Sequence, residues 1–321
     1  MGKVDGGRPP TEAKDQGLAR CRVAKMKGKE GTVKICVSSY SLSRPVREGR
    51  ITLHDALDWL AEQGVKGVEF TDLDGKEPEN EARLADDVVR HCARHGLEIT
   101  SYTIGANLLL LGEAQRVEVE RVKRKVDIGA RLGVKRMRHD VAWGFPEGYK
   151  GPKTWEAALK HIVPACRQVA DYAARFGITT STENHGYFAQ ASERVLKLVR
   201  AVNRPNYGVT IDIGNFLCVD EDPVSAVRRL AKYASFAHAK DFHFKDKKED
   251  PGEGWFRSAG KNYLRGAIIG HGVVNVRKCL ALLKKAGYKG WVSLEFEGME
   301  DAFQGVRVGL ENLRRYLKRI D

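Results

Sequence analysis

Four side chains suited to binding a cation end four successive short strand-like segments in the second half of the chain. They are Glu183 within residues 181–186, Asp212 within 210–215, His238 within 237–241 and Glu295 within 293–298. Any one such acid is as readily a helix N-cap or a solvated residue. Four in consecutive segments, each after an apolar run, point to a common site. Three carboxylates brought together repel one another and raise one another's pKa, and a divalent cation resolves that conflict. Oxygen ligands with one imidazole suit Mn²⁺ or Mg²⁺ first, and Co²⁺ or Zn²⁺ next.

The elements that must position these residues alternate along the chain. Short apolar or β-branched runs are followed by amphipathic stretches with helical period and then by glycine. The pattern predicts strands at 33–39, 67–70, 98–103, 135–140, 178–183, 207–212, 235–240 and 291–295. Helices are predicted at 51–63, 79–95, 113–131, 153–176, 192–201, 223–232, 274–286 and 302–318, with stops at Gly64, Gly96, Gly133, Gly177 and Gly287. Pro164 predicts a kink in the fourth helix or its division into two pieces. Eight β/α units close most naturally into a single-domain (β/α)₈ TIM barrel over residues 32–321. A doubly wound sheet would need a glycine-rich phosphate turn after an early strand, and the first loop, Ser38-Ser39-Tyr40-Ser41, has none. Barrel enzymes carry their chemistry at the C-terminal ends of the strands, where all four residues fall. The connection between Phe242 and Val273 lacks a clear period and is long enough to suggest a lid or binding loop.

Composition bounds the remainder. The 321 residues are 42% hydrophobic and 30% charged, as in soluble globular proteins. No run of 18 apolar residues offers a membrane span. Residues 1–31 have no hydrophobic period and no signal-peptide core, so they read as a disordered basic tail on a cytoplasmic protein, with Met26 as a suspected natural start. The six cysteines form no CxxC pair and read as reduced, mostly buried thiols. Of the net charge of +13, residues 1–30 supply eight Lys/Arg against four Asp/Glu. The rest, as at 121–125, reads as solvated helix faces with Glu113, Glu118 and Glu120 alongside.

The chain resembles the sugar phosphate isomerase/epimerase family, the xylose isomerase-like barrels, over about residues 33–318. The most specific pieces are Glu183-Asn184-His185-Gly186, Asp212-Ile213-Gly214-Asn215, His238-Ala239-Lys240-Asp241 and Trp291-Val292-Ser293-Leu294-Glu295. The resemblance implies one divalent metal on Glu183, Asp212, His238 and Glu295. It also implies that Glu183 and Glu295 are the catalytic pair, exchanging a proton next to a carbonyl through a metal-stabilised enediolate. The expected activity is that of a sugar isomerase or epimerase. The alternative is a lyase or dehydratase on a keto-inositol or 3-oxo-glycoside. The expected partner is a small carbohydrate, with no nucleic acid and no membrane. Such barrels often form homo-oligomers, although no stretch marks an interface.

His185, Lys240, His139 and Glu69 are candidate substrate-binding residues, with Tyr102, Trp143, Trp255 and Phe256 as candidate aromatic walls. His271 is a turn candidate, and His243 is assigned to neither site nor solvent. The 3-epimerases usually carry His three residues after the metal Asp and Arg six after the metal His. Asn215 and Phe244 stand there instead, which argues against the ordinary ketose 3-epimerase substrate. The apurinic endonucleases of the same family need further histidines that strands two and three lack, so nuclease action is the remote reading.

Overall fold

The computed structural model describes residues 1–2, 33–73 and 78–320. The expectations for the tail, including Met26, therefore fall on residues outside those described. By internal contacts the chain divides at Gly31/Thr32, and the barrel lies in the second unit.

Eight parallel strands close the barrel: β1 (Lys34–Ser38), β2 (Gly67–Thr71), β3 (Glu98–Ile104), β4 (Arg136–His139), β5 (Thr179–Glu183), β6 (Tyr207–Asp212), β7 (Ala234–Ala239) and β11 (Trp291–Leu294). The ring runs β1-β11-β7-β6-β5-β4-β3-β2. Around it stand α1 (Ser43–Arg47), α2 (Leu53–Glu62), α3 (Pro78–His95), α4 (Gly112–Arg131), α5 (Trp155–Ala174), α6 (Ser192–Val202), α7 (Pro223–Leu230), α8 (Val276–Lys285) and α9 (Ala302–Lys318). The eight expected strands and eight expected helices are present with ends shifted by a few residues.

Alternation along each strand divides the barrel into two environments. Val68, Phe70, Met137, Val209, Ile211, Ala237 and Leu294 join the helices in the main core. Each large side chain so buried contributes about 1.5–3 kcal/mol. The intervening residues face inward and are largely polar: Glu69, Thr103, Arg138, Ser181, Glu183, Thr210, Asp212, His238 and Ser293 are all buried. Local signals fix where helices begin. Thr52 and Asp55 form a reciprocal capping box on α2, at 3.1 and 2.8 Å. Asp222 caps α7 through the Ser225 amide, with Pro223 in the first turn.

Two expectations are narrowed by the structure. Helix α5 continues through Pro164 as one helix, so it is not divided into two pieces. Pro164 and Lys160 both lie on the exposed face, where water can satisfy the carbonyl that the proline ring leaves without a donor. The connection after β7 is also more ordered than its lack of period suggested. It folds into a three-stranded antiparallel sheet of β8 (Asp241–Lys245), β10 (Tyr263–Ala267) and β9 (Phe256–Arg257), in that order. A small cluster of Cys218, Phe242 and Leu264, with Leu217 and Phe256 against it, holds that sheet.

Candidate metal centre

Each of the four strand-end residues reaches the barrel axis from its own strand or the residue just past it. Glu183 and Asp212 end β5 and β6, His238 is the fifth residue of β7, and Glu295 follows β11. One ligand atom from each lies within 4.8 Å of the others, and all four residues are buried. The ring of His238 lies among the carboxylates. Its Nδ1 is 3.5 Å from Glu183 Oε1, 3.5 Å from Glu295 Oε2 and 3.9 Å from Asp212 Oδ2.

The supports around these groups fix their orientation. Asp212 Oδ1 accepts from the amides of Gly214 and Asn215 at 2.8 and 3.0 Å, which leaves Oδ2 for the centre. Asn184 bridges to β6, accepting from the Asp212 amide and donating to its carbonyl. Asn215 donates to Glu183 Oε1 at 3.0 Å, and Arg138 Nε sits 2.5 Å from Glu183 Oε2. His238 Nε2 meets Glu69 Oε1 at 3.0 Å, and Thr103 donates to the same oxygen at 2.6 Å. A carboxylate on one imidazole nitrogen that frees the other for a cation is the usual outer support of a metal-binding histidine.

Two buried atoms test the fit of a cation. His238 Nδ1 has no hydrogen-bond partner, and Asp212 Oδ2 has only the Lys240 ammonium beside it, at 3.2 Å; both atoms lie within the cluster. Buried polar atoms rarely stay unpartnered, and a divalent ion would satisfy both. The donor set of three carboxylates and one imidazole fits such an ion.

Electrostatics agree with this arrangement. Two carboxylate oxygens within 4.8 Å of each other repel by about 3.5 kcal/mol or more at an effective dielectric of about 20. The cations already present are Arg138, which also pairs with Asp140 at 3.0 Å, and Lys240. Lys240 Nζ lies 2.8 Å from Glu295, 3.2 Å from Asp212 and 3.6 Å from Glu297. Burial raises the Glu183 carboxyl, but Arg138 and His238 outweigh it and hold the group well below the usual range. Glu295 is likewise lifted by burial and brought below its ordinary value by Lys240 and His238. Asp212 is pushed up to about 6 by burial, against the pull of Lys240. Burial works against the His238 imidazolium, yet Glu69, Glu183 and Glu295 hold its pKa well above the usual value.

The other candidates divide by strand face. Lys240 lies within the cluster. His185 stands at its rim, with Nδ1 3.0 Å from Asp140 Oδ1 and Trp143 edge-on at 5.5 Å. Asp140 and Arg138 thus link His185 to Glu183. Glu69 is fully buried behind His238, where it backs a candidate ligand and has no surface open to substrate hydroxyls. His139 is also fully buried, with Nδ1 on the Asp140 carbonyl and its ring 6.1 Å from Tyr207, which bonds Cys166 of α5. Arg138 takes the inward position on β4, so its neighbour His139 must face the helices.

Tyr102 also leaves the set of aromatic walls, because it faces outward and donates to Glu81 at 2.6 Å. Trp143, half exposed over Gly186, remains at the mouth. Phe256 packs on Phe242 beneath the small sheet. Trp255 lies between His243, at 6.4 Å, and Arg265, at 5.2 Å. His271 is exposed in a turn. The sequence reading assigned no role to Arg138, Asp140 or Glu297. For Arg138 the signal was available, since it precedes His139 by one position and the two must face opposite ways.

Known proteins share this architecture. The rhizopine catabolism protein MocC of Rhizobium meliloti is 26% identical over 292 residues, 84% of this chain and 83% of that protein. Three solved structures superpose on nearly their whole length. A protein named IOLI, described with a binding zinc atom, has a TM-score of 0.69 at 15% identity, covering 90% of this chain and 99% of its own. The probable 3-DHS dehydratase AsbF of Bacillus anthracis has a TM-score of 0.67 at 16% identity, covering 88% and 99%. A D-allulose 3-epimerase from Methylomonas has a TM-score of 0.65 at 17% identity, covering 89% and 98%. At these identities the likeness shows a fold held in common with a probable dehydratase and an epimerase. The model of the xylose isomerase-like TIM barrel matches residues 57–316, and the chain belongs to that family.

Proposed function

We propose that the barrel mouth is a divalent-metal-dependent centre that isomerises or epimerises a small ketose-like carbohydrate. The observation that carries this reading is the convergence of Glu183, Asp212, His238 and Glu295, with His238 Nδ1 left without a hydrogen-bond partner inside it. These four residues would hold the cation, with Mn²⁺ or Mg²⁺ expected from the oxygen-rich set. When bound, the cation supplies Lewis-acid polarisation of a carbonyl and its neighbouring hydroxyl.

The protein's own groups supply the proton chemistry. Glu183 and Glu295, both held below their ordinary pKa, are ionised at neutral pH and able to accept a proton from carbon. One takes the proton next to the carbonyl and the other side returns one, so the substrate gains and loses a proton without net change. Asn215 and Arg138 fix the Glu183 carboxylate by its two oxygens. Lys240 holds Glu295 and provides an ammonium for a substrate oxygen. His185 and Trp143 stand where a sugar would enter.

The same Lys240 favours a second reading, a lyase or dehydratase. An ammonium 2.8 Å from the Glu295 carboxylate is placed to protonate a departing oxygen.

The test is proton exchange in D₂O followed by NMR. Metal-loaded wild type and Glu295→Gln are each incubated with ketoses, inososes and 3-oxo-glycosides. The expected result is metal-dependent deuterium uptake at one carbon of one substrate class, lost in the variant. Product with a new double bond in place of exchange would assign the lyase. Bound metal with neither outcome for any substrate would reject both.

A further inference from the structure

On the outer surface of the barrel, α2 and α3 bring three histidines and two aspartates together. His91 and His95 lie one turn apart on α3, so both rings leave the same face. Their Nε2 atoms converge on a single oxygen from the neighbouring helix: Asp58 Oδ1 is 2.6 Å from His91 and 3.1 Å from His95. The rings stack at 4.7 Å, and His54 stacks on the other face of His91 at 4.3 Å while pairing with Asp87 at 2.8 Å. His91 is nearly buried, with its side chain 8% exposed. Asp58 and His95 remain open to solvent at 41% and 35%, so an ion can reach them. None of these residues touches the barrel-mouth cluster.

We propose that Asp58, His91 and His95 form a second cation site, selective for Zn²⁺ and related borderline metals, that clamps α2 to α3. Two imidazoles one turn apart with a third ligand from another element are a common zinc arrangement. One ligand atom of each residue lies within 4.8 Å of the others, and solvent can complete the coordination. The donor set is nitrogen-rich, which separates it from the oxygen-rich barrel mouth and disfavours Mg²⁺ and Mn²⁺.

The local hydrogen bonds show what binding must change. Arg94 donates to His91 Nδ1 at 3.1 Å, which leaves the ring hydrogen on Nε2, toward Asp58. The metal replaces that hydrogen at Nε2. Nδ1 then carries the hydrogen, and the exposed Arg94 side chain turns to water.

The full-length protein, stripped with a chelator and dialysed, is titrated with zinc sulfate by calorimetry beside His95→Ala and Asp58→Asn. Both substitutions are at part-exposed positions, and circular dichroism checks that the fold is kept. The expected result is that each variant loses one equivalent of zinc, or binds it about tenfold or more weakly, while its other zinc binding is unchanged. Zinc also raises the Tm of an Asp212→Asn protein, in which the barrel mouth is impaired, and does not raise that of Asp212→Asn/His95→Ala. Zinc isotherms of both single variants matching the parent would overturn the site, as would an equal Tm rise in the single and double variants.

Discussion

At the scale of single residues, the candidate centre depends on groups that set the protonation and angle of its ligands. Glu69 is the clearest case. It is fully buried, and its Oε1 takes both the Thr103 hydroxyl and His238 Nε2. Glu69→Gln keeps the volume and one acceptor oxygen but removes the charge behind the imidazole. Metal affinity, read by competition with a fluorescent chelator, should fall by about 10–100-fold, with the circular dichroism spectrum unchanged. Unaltered affinity would show that Glu69 does not act through His238. The same centre predicts a pH dependence. Below pH 6 Asp212 is increasingly protonated, because burial lifts its carboxyl to about 6. The carboxylates of Glu69, Glu183 and Glu295 hold the His238 pKa well above its ordinary value, which favours its protonated form. A cation must displace both protons, so affinity rises with pH, by about tenfold per pH unit for each proton displaced. Dissociation constants at pH 5.5 and 7.5 check this, and a flat profile would contradict it.

At the scale of elements, the barrel units were legible from the sequence and the small sheet was not. Each β/α unit combines a short apolar or β-branched run with a helical period, and five of the eight predicted helices add a glycine stop. Residues 241–267 carry strands of five, two and five residues, too short for a period to emerge from polar and glycine-rich surroundings. The site was legible where strand ends sufficed, as for Glu183, Asp212, His238 and Glu295. It was misread where facing mattered: on β4, a one-residue difference sends Arg138 inward and His139 to the helices.

Asp241 adds polar anchors to the apolar cluster that holds the small sheet. Its carboxylate accepts from four backbone amides, those of Phe242, Gly270, Gly272 and Val274, at 2.8–3.0 Å. Asp220, on the loop after β6, binds Ser258 and Asn262, and the Tyr187 hydroxyl reaches the Arg257 carbonyl. Asp241→Ala would orphan four donors, at about 1–3 kcal/mol for each that water cannot reach. The expected outcome is protease cleavage confined to residues 242–274 with the barrel core still protected. Gly272→Ala should act the same way, since a Cβ there would strike the Asp241 carboxylate. Cleavage rates equal to wild type in both variants would show that other contacts hold the sheet.

At the scale of the whole molecule, the centre joins half of the barrel ring. Its candidate ligands come from the adjacent strands β5, β6 and β7 and from the end of β11, which pairs β7 on one side and β1 on the other. In sequence they span residues 183–295, so unfolding must scatter them. A cation bound by all four therefore favours the closed barrel and has no comparable site in the open chain. At a free concentration 100 times its Kd, such an ion adds about 2.7 kcal/mol. In a unit the size of Thr32–Asp321 this shifts Tm by about 4 °C. Mn²⁺ separates this centre from the nitrogen-rich cluster on α2 and α3, because oxygen-rich sites suit it better. Mn²⁺ should raise the Tm of wild type and of His95→Ala alike and leave Asp212→Asn nearly unmoved. The Asp212 variant keeps an acceptor for the Gly214 and Asn215 amides, so its own fold should survive the change. Equal Mn²⁺ shifts in wild type and Asp212→Asn would place the stabilising ion away from the barrel mouth and remove the thermodynamic link between the closed ring and its centre.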